Sequence, residues 1–206
     1  MKLKRCMVCS TLFALIFAAG SGIAVSADKQ ADDVSVLTFY RDMGKLSVYG
    51  NGSKIEADFK NPKEGKASLR IELNTAQWTA AMVRLPKPSA LKELRDGGAC
   101  LAFWIKCDQE RPLLKVQLVD SDADGKPVEI FIDLPAYAQL SKKKWEEVKI
   151  PLSYFPDKGS YYDGVENKFD ELFQWDQVAE VRFQAAPSES EPVVYKFNVD
   201  EIVIIK

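Results

Sequence analysis

The chain is dominated by short runs of alternating polar and apolar residues, rich in valine, isoleucine and aromatic side chains. Turn-forming pairs such as Gly97-Gly98 separate these runs. Because no helix of crossover length lies between them, the spacing predicts a β-sandwich or a β-barrel. Helical turns are predicted only at residues 89–94 and 168–173. The runs are VSVLTFY, KIEADFK, ASLRIEL, AAMVRL, ACLAFWIKC, LLKVQLVD, VEIFIDL, WEEVKIPL, VAEVRFQAA, VVYKFNV and EIVIIK.

The composition fits one soluble domain and excludes several kinds of chemistry. With 206 residues, 47% hydrophobic residues and a net charge of -2, the chain is long enough for one proper core and has no basic field for nucleic acid. It contains no histidine, so a Ser-His-Asp or Cys-His catalytic site or a histidine-ligated zinc ion cannot be assembled from it. Catalysis would have to use lysine, tyrosine, arginine or carboxylate groups.

The first 27 residues have the pattern of a secretory signal peptide. A basic start from Lys2 to Arg5 precedes an apolar stretch at 7–19, and small residues end the segment at Ala27. This order favours cleavage after Ala27 over a buried hydrophobic helix. We therefore expect a secreted or periplasmic protein whose single domain covers residues 28–206. No later stretch is long enough to span a membrane.

The two cysteines beyond this segment lie on one predicted strand. Cys100 and Cys107 are seven residues apart in extended chain, which separates them by ~23 Å. A disulfide needs Cα atoms within ~7 Å, so no bridge between them is expected. Cys107 shares the alternation of the apolar residues of its strand, which predicts a buried, inert thiol.

The segment VDSDADGK at residues 119–126 raises the question of a calcium loop. Asp120, Asp122, Asp124 and Gly125 have the spacing of an EF-hand, but the twelfth position, which requires a bidentate glutamate, is Phe131. The flanking runs have strand periodicity rather than helical periodicity. The segment therefore predicts a β-hairpin, with Asp124-Gly125 in the turn and the other aspartates accepting hydrogen bonds from turn amides.

Alternation along three strands predicts an apolar face and an unusual opposite face. In LAFWIKC, LLKVQLVD and VAEVRFQAA the apolar residues alternate with an aromatic ring, amides, a guanidinium and an ammonium group. An aromatic ring stacks on the apolar face of a sugar, while planar donors and acceptors bind its hydroxyls. For each residue the alternative is a plain outer face or a second layer of core. The candidate ligand-binding residues are Trp104, Lys106, Gln117, Arg182 and Gln184.

The order of these runs resembles the galactose-binding-like jelly rolls, particularly the carbohydrate-binding modules similar to family 11. The pattern W-x-x-V-x-I-P-L-x-x-F at residues 145–155 and the closing VDEIVI at 199–204 carry the resemblance most strongly. It covers nearly all of residues 34–206. The resemblance implies an all-β, two-sheet antiparallel sandwich of jelly-roll type. It also implies that the five candidate residues lie together on the outer, concave surface of one sheet, with a polysaccharide or oligosaccharide as the partner.

The resemblance further implies one structural calcium ion. Its ligands would come from a Phe-Glu pair near the first strand, backbone oxygens near the EGKASL turn and the aspartate of the last strand. Asp200 matches that aspartate, whereas Tyr40 follows Phe39 where the glutamate is expected. Asp200 is therefore predicted either as the metal ligand or as an exposed acid at a strand edge.

Three functional classes follow from these patterns. The first is a secreted, non-catalytic carbohydrate-binding protein. The second is a structural or protein-interaction module of the envelope, with an envelope protein as its partner. The third is a polysaccharide lyase or hydrolase, which would require convergence of its tyrosines with Lys106 and Arg182. No spacing of acidic residues singles out a catalytic pair, so we expect no enzyme.

Overall fold

In the computed structural model the described part of the chain, residues 35–36, 46–121, 125–188 and 191–206, consists mainly of β-strands joined by turns and short helical segments. Its one α-helix, α1, covers Lys92–Asp96. The predicted signal peptide lies outside the described residues. The strands are β1 (Ser35–Val36), β2 (Leu46–Tyr49), β3 (Lys54–Asp58), β4 (Ser68–Asn74), β5 (Thr79–Ser89), β6 (Cys100–Cys107), β7 (Leu114–Asp120), β8 (Glu129–Asp133), β9 (Trp145–Pro151), β10 (Lys158–Tyr162), β11 (Asn167–Leu172), β12 (Val178–Ala185) and β13 (Val194–Ile205).

These strands form two sheets in which all paired neighbours are antiparallel. The first sheet has the order β3-β4-β13-β6-β9, with β1 also paired to β13. The second sheet has the order β11-β10-β8-β7-β12-β5-β2. The chain passes between the sheets repeatedly, for example from β6 in the first sheet to β7 in the second. The predicted two-sheet antiparallel sandwich of jelly-roll type is confirmed.

Aromatic side chains from both sheets meet in the core. Phe103 of β6 contacts Phe183 of β12 edge-to-face, with ring centroids 5.2 Å apart, and Phe183 also contacts Phe197 of β13 at 6.1 Å. Each of these side chains is at most 1% exposed. Edge-to-face contacts add to the free energy of burial, so this cluster joins the two sheets. The predicted inward face of β6 is confirmed.

A bulge in β13 reverses its alternation and sets the position of Asp200. Before the bulge Phe197 and Val199 point inward, whereas after it Ile202 and Ile204 do. The pairing with β6 shifts between Asp200 and Val203, and Glu201 has a φ of 46°. An extra residue in one strand bends it and redirects its side chains. Asp200 therefore lies where the strand bends on the outer side of the first sheet.

The predicted hairpin around VDSDADGK is confirmed, although its connection is longer than a tight turn. β7 and β8 pair antiparallel, with Val119 opposite Glu129. Gly125 has a φ of 76°, as a turn glycine does. Asp120 accepts hydrogen bonds from the backbone N–H groups of Val128 at 2.7 Å and Gln174 at 2.8 Å. The Asp120 carboxylate therefore joins the start of the connection to its end and to the segment before β12. Residues 122–124 lie outside the described residues.

The two predicted helical turns have different outcomes. α1 begins after Leu91, close to the predicted 89–94, but no side chain caps its start. The prediction of a helical turn at 168–173 is wrong, because β11 covers most of this segment and pairs with β10. β11 is an edge strand with five of its six side chains exposed. Its mixture of charged and apolar residues therefore lacks the simple alternation of a strand with one buried face.

The cysteines provide a test of the packing around β6. Both are free thiols, Cys100 half-buried and Cys107 buried. Burial raises the pKa of the Cys107 thiol to about 12. In a chain that begins at Asp28, iodoacetamide at pH 8 should alkylate Cys100 in the native protein and Cys107 only in denaturant, because the thiolate is the nucleophile. Mass spectrometry of the alkylated peptides measures this, with C100S as the control. Rapid native labelling of Cys107 would contradict the packing.

Candidate functional site

The five predicted ligand-binding residues lie on two different sheets. Trp104 and Lys106 belong to β6 in the first sheet, whereas Gln117 belongs to β7 and Arg182 and Gln184 to β12 in the second. All five point away from the core side of their own strands, as the alternation predicts. The outer faces of the two sheets are on opposite sides of the sandwich. The prediction that all five share the surface of one sheet is therefore wrong.

The reason for this error is topological. Alternation determines the side of a strand on which a residue lies, but it does not determine the sheet to which the strand belongs. β6 pairs with β13 and β9, whereas β7 pairs with β12 and β8. Because the chain changes sheets between β6 and β7, residues that are close in sequence are separated by the core.

On the first sheet, the segment 59–66 folds over Trp104 and Lys106. The Lys63 ammonium lies 4.2 Å from the centroid of the Trp104 ring. The Lys106 ammonium donates to Asn61 Oδ1 at 2.9 Å and lies 5.4 Å from the ring centroid of Trp145. The Lys63 ammonium is attracted electrostatically to the Trp104 ring and lies over the ring face on which a sugar would stack. These two residues therefore hold the segment in place.

Asp200 binds the backbone of the same segment through hydrogen bonds. Its carboxylate accepts the backbone N–H groups of Lys63 at 2.8 Å, Glu64 at 3.1 Å and Glu201 at 2.8 Å. The residue is only 2% exposed, so the alternative of an exposed strand-edge acid is wrong. Burial raises the pKa of Asp200, while the three N–H donors act in the opposite direction. The pKa of Glu201 is also raised, first by burial and then by the nearby negative charges.

The described residues around Asp200 do not form a calcium site by themselves. Calcium takes six to eight oxygen ligands, whereas the carboxylate of Asp200 faces three N–H donors. Within the described ranges, no group of three or more acidic, cysteine or histidine residues is arranged to hold a metal. Phe39 and Tyr40, which bear on the implied site, lie outside the described residues. The calcium ion stays a prediction.

The remainder of the first sheet's outer face is a network of paired polar groups. It borders a cavity of about 520 Å³. Arg70 donates to Asn198 and forms an ion pair with Asp108. The Asn198 amide donates to Asp58, which also accepts from Asn61. These groups bond one another, so they support the sheet more than they offer free donors to a ligand.

The outer face of the second sheet has a regular arrangement across its strands. The pairing registers place outward residues side by side in three rows. Charged and amide groups occupy the centre, and aromatic rings lie toward the ends. In order from β2 or β5 toward β8, the rows are Tyr49, Ala80, Gln184, Lys115 and Asp133; then Ser47, Met82, Arg182, Gln117 and Phe131; then Arg84, Glu180, Val119 and Glu129.

Arg182 is fixed at the centre of this face by two carboxylates. Its Nε donates to Glu180 at 2.8 Å and its Nη1 to Glu129 at 3.0 Å. Glu180 also accepts from Arg84 Nε at 2.7 Å. Burial raises the pKa of Glu129, and the positive charge of Arg182 opposes that shift. The guanidinium plane is held in one orientation with its charge compensated, so it can recognise a ligand without further ordering.

Two glutamine amides lie beside Arg182. Gln117 Nε2 donates to Gln184 Oε1 at 3.0 Å, which leaves the Gln184 amide group to donate elsewhere. Gln117 is 2% exposed, so it forms the floor of the face rather than a projecting contact. Its Oε1 is buried and has no hydrogen-bond partner within the described residues. An unpaired buried acceptor is unfavourable, but its burial keeps it out of reach of a ligand on the surface, so Gln117 acts on the site through Gln184.

Aromatic rings flank this polar centre. Trp78, just before β5, is 48% exposed, and Phe131 of β8 is 41% exposed. The Lys115 ammonium lies between them, 5.8 Å from the Trp78 ring centroid and 3.8 Å from the Phe131 ring centroid. Tyr49 of β2 is 64% exposed and pairs with the small residue Ala80. The face therefore presents rings for stacking around fixed hydrogen-bonding groups.

Sequence reasoning missed Trp78, Phe131 and Tyr49, although one signal was present. In VEIFIDL the inward residues are Ile130 and Ile132, which leaves Phe131 outward by the same alternation used for the other strands. An aromatic residue at a position expected to be polar is informative because solvated faces rarely need one. Its proximity to Trp78 depends on strand order, which the sequence alone does not supply.

The arrangement has the groups needed to bind a polyhydroxylated ligand. Aromatic rings stack on the apolar face of a sugar, and planar donors bind its hydroxyl groups. Glu129 and Glu180 are both paired with Arg182, so these two carboxylates serve to orient the guanidinium. In the part of the chain that the structure covers, no helix is long and apolar enough to cross a membrane.

A family model agrees with this description. The model described as carbohydrate binding domain 30 matches residues 31–206. The solved family 30 carbohydrate-binding module of a cellulosomal cellulase of Clostridium thermocellum is 18% identical, with a TM-score of 0.59 over 80% of this chain and 87% of that chain. The resemblance predicted from the strand order is confirmed.

Two further solved structures share the fold. The family 11 carbohydrate-binding module from Clostridium thermocellum, in complex with a β-1,3-1,4-mixed-linked tetrasaccharide, is 16% identical, with a TM-score of 0.56 over 82% of this chain and 94% of that chain. A β-1,2-glucanase from Parabacteroides distasonis is 14% identical, with a TM-score of 0.52 over 78% of this chain but 23% of its own. No curated protein matches the chain significantly.

The contacts of Asp200 predict how the covering segment responds to mutation and to chelation. D200N should lower the free energy of unfolding by about 2 kcal/mol, because it replaces a charged acceptor of three N–H groups by an amide that also donates. D176N, at an exposed aspartate, is the matched control. EDTA should leave the thermal midpoint of the parent unchanged. A midpoint that falls with EDTA and recovers with calcium would restore the metal site.

Proposed function

The chain belongs to the carbohydrate binding domain 30 family, and on this premise we propose that it is a secreted, non-catalytic module that binds a polysaccharide on the outer face of its second sheet. The observation that carries this proposal is the combination of exposed rings with a fixed guanidinium on that face. Trp78 and Phe131 supply the rings and Arg182 the guanidinium. Of the residues predicted from the sequence, Gln117, Arg182 and Gln184 belong to the proposed site.

The contrast between the two outer faces supports the choice of the second sheet. The Trp104 ring faces the Lys63 ammonium, and the Lys106 ammonium is bonded to Asn61. A sugar could stack on this face of Trp104 only after the Lys63 side chain moved away, while the backbone of Lys63 and Glu64 stays bonded to Asp200 beside it. On the second sheet the Lys115 ammonium also lies near the rings, at 3.8 Å from Phe131 and 5.8 Å from Trp78, but Trp78 is still 48% exposed and Phe131 41%.

The proposed ligand is a β-linked glucan. The face has near-balanced charge around Arg182, since Glu129 and Glu180 compensate Arg182 and Arg84, and this favours a neutral polymer over an anionic one. A structurally similar module was solved with a β-1,3-1,4-mixed-linked tetrasaccharide. We therefore take mixed-linked glucan as the first probe.

Secretion and the absence of catalysis are parts of the same proposal. The basic and apolar segment up to Ala27 supports export, and the ion pairs of Glu129 and Glu180 support a binding role. N-terminal sequencing of the exported protein tests the first part, with Asp28 expected as the first residue. A reducing-end assay on mixed-linked glucan tests the second part, and sustained product formation would contradict it.

The binding experiment is depletion of the purified protein from solution by insoluble and gel-entrapped polysaccharides. Mixed-linked β-glucan should retain the protein, whereas the anionic polymer alginate should not. Bovine serum albumin controls for non-specific retention. A protein that none of a broad panel of neutral and anionic glycans retains would overturn the proposed function.

The two outer faces make opposite predictions for a pair of tryptophans. W78A should weaken binding to mixed-linked glucan about three- to tenfold, because a stacked ring contributes roughly 0.5–1.5 kcal/mol, and should leave the thermal midpoint nearly unchanged. W104A should leave the affinity unchanged and lower the free energy of unfolding by about 2 kcal/mol, since it removes the ring beneath Lys63. Titration calorimetry and thermal melting measure both effects. A reversed pattern would move the site to the first sheet.

A further inference from the structure

The hairpin formed by β10 and β11 extends the second sheet beyond β8. Ser160 of β10 pairs with Glu129 on one side and with Phe169 of β11 on the other. The third row of outward residues, which contains Arg84, Glu180 and Glu129, therefore continues through Ser160 to Phe169. The ring of Phe169 lies on the same face as the proposed glycan site.

The exposed apolar side chains of this hairpin are not explained by the core. Phe169 and Leu172 are each 70% exposed and Tyr162 is 63% exposed. The hairpin's packing against the core comes from its other ring, Tyr161. Single exposed apolar residues are common on protein surfaces, but a group of them on one element marks an interaction surface.

A glycine allows the hairpin to continue the sheet. A Cβ atom at Gly159 would lie 2.1 Å from the backbone oxygen of Glu129, a distance that no other residue tolerates without movement of the backbone. The close approach of β10 to β8 thus requires glycine at this position. It brings the row that contains Phe169 into line with the row of Glu129.

The tip of the hairpin is held rigid by its own contacts. Asp163 Oδ1 accepts the backbone N–H groups of Val165 at 2.9 Å and Glu166 at 2.8 Å. The Tyr162 hydroxyl donates to the Gly164 carbonyl at 3.0 Å. A surface that is already ordered loses little conformational entropy when it binds a ligand.

The edge of β11 is poorly suited to pairing with a strand of another protein. Asp170 has a φ of 63° and lies at an irregularity in the pairing with β10. A bulge and charged side chains on an edge strand disfavour the addition of a further strand. The exposed ring of Phe169 is therefore available on the face of the sheet, where a ligand lying on the sheet would reach it.

We infer that Phe169 forms an additional contact point for the glycan, so that the ligand is an extended chain crossing the strands from Trp78 and Phe131 to the hairpin. This inference rests on the proposed function. Phe131 and Phe169 are two strands and one row apart. The strand spacing and the rise per residue place them about 12 Å from each other. A chain bound at both rings passes over Glu129 and Ser160. Such a site binds internal segments of a polysaccharide, and its affinity increases with ligand length.

The test compares a β-linked glucose disaccharide with the β-1,3-1,4-mixed-linked glucan octasaccharide by titration calorimetry. A disaccharide is too short to contact both Phe131 and Phe169, whereas the octasaccharide spans them. The parent should bind the octasaccharide more tightly than the disaccharide. F169A should weaken octasaccharide binding about three- to tenfold and leave disaccharide binding nearly unchanged. F59A is the matched control, because Phe59 is 73% exposed and lies in the segment that covers the first sheet. It should bind both oligosaccharides as the parent does.

The outcomes separate this inference from the proposed function. If the parent binds both oligosaccharides and F169A keeps the full advantage of the longer one, the contact at Phe169 is overturned and the proposed function stands. If the parent shows no preference for length, the extended chain is overturned in the same way. If the parent binds neither oligosaccharide and no glycan in the panel, both the inference about Phe169 and the proposed function are overturned. Circular dichroism of each variant checks that the fold is retained.

Discussion

Three backbone N–H groups converge on the buried carboxylate of Asp200, and this contact determines which outer face of the sandwich is open. Two of the donors belong to the segment 59–66, which thereby lies over Trp104 and Lys106. Hydrogen bonds to a carboxylate are stronger than those between neutral groups. The bulge in β13 directs this carboxylate outward, so a local irregularity of one strand closes one face. Among the described residues no backbone segment is bonded over Trp78 and Phe131 in this way, and their rings are 48% and 41% exposed even with the Lys115 ammonium beside them.

The open face combines rigidity with compensated charge. Arg182 is held between Glu129 and Glu180, and Arg84 balances the second carboxylate. A guanidinium fixed in this way offers directed hydrogen bonds at little entropic cost. Rings on either side provide stacking surface, which is the feature that a neutral sugar chain requires. The proposed function rests on this pairing of ordered polar groups with exposed rings.

The sequence predicted the fold class well, and three of the five residues that it singled out lie on the face proposed here as the site. Alternation identified Phe103 and Phe183 as core and Gln117, Arg182 and Gln184 as outward, because each strand has one buried face. It could not assign β6 and β7 to opposite sheets, since the crossing between sheets leaves no mark in the alternation. Asp200 was recognised only through a family resemblance. Its role depends on a segment more than a hundred residues away, and such contacts are invisible to local patterns.

Backbone NMR with isotope-labelled protein tests most directly whether the ligand lies on the second sheet. On titration with the mixed-linked tetrasaccharide, the amide signals that shift should belong to β5, β7, β8 and β12 and to residues next to Trp78. Those of segment 59–66 and β6 should keep their positions, because Asp200 holds that face closed. Shifts concentrated around Trp104, Lys106 and Asp200, with the second sheet unaffected, would contradict the account.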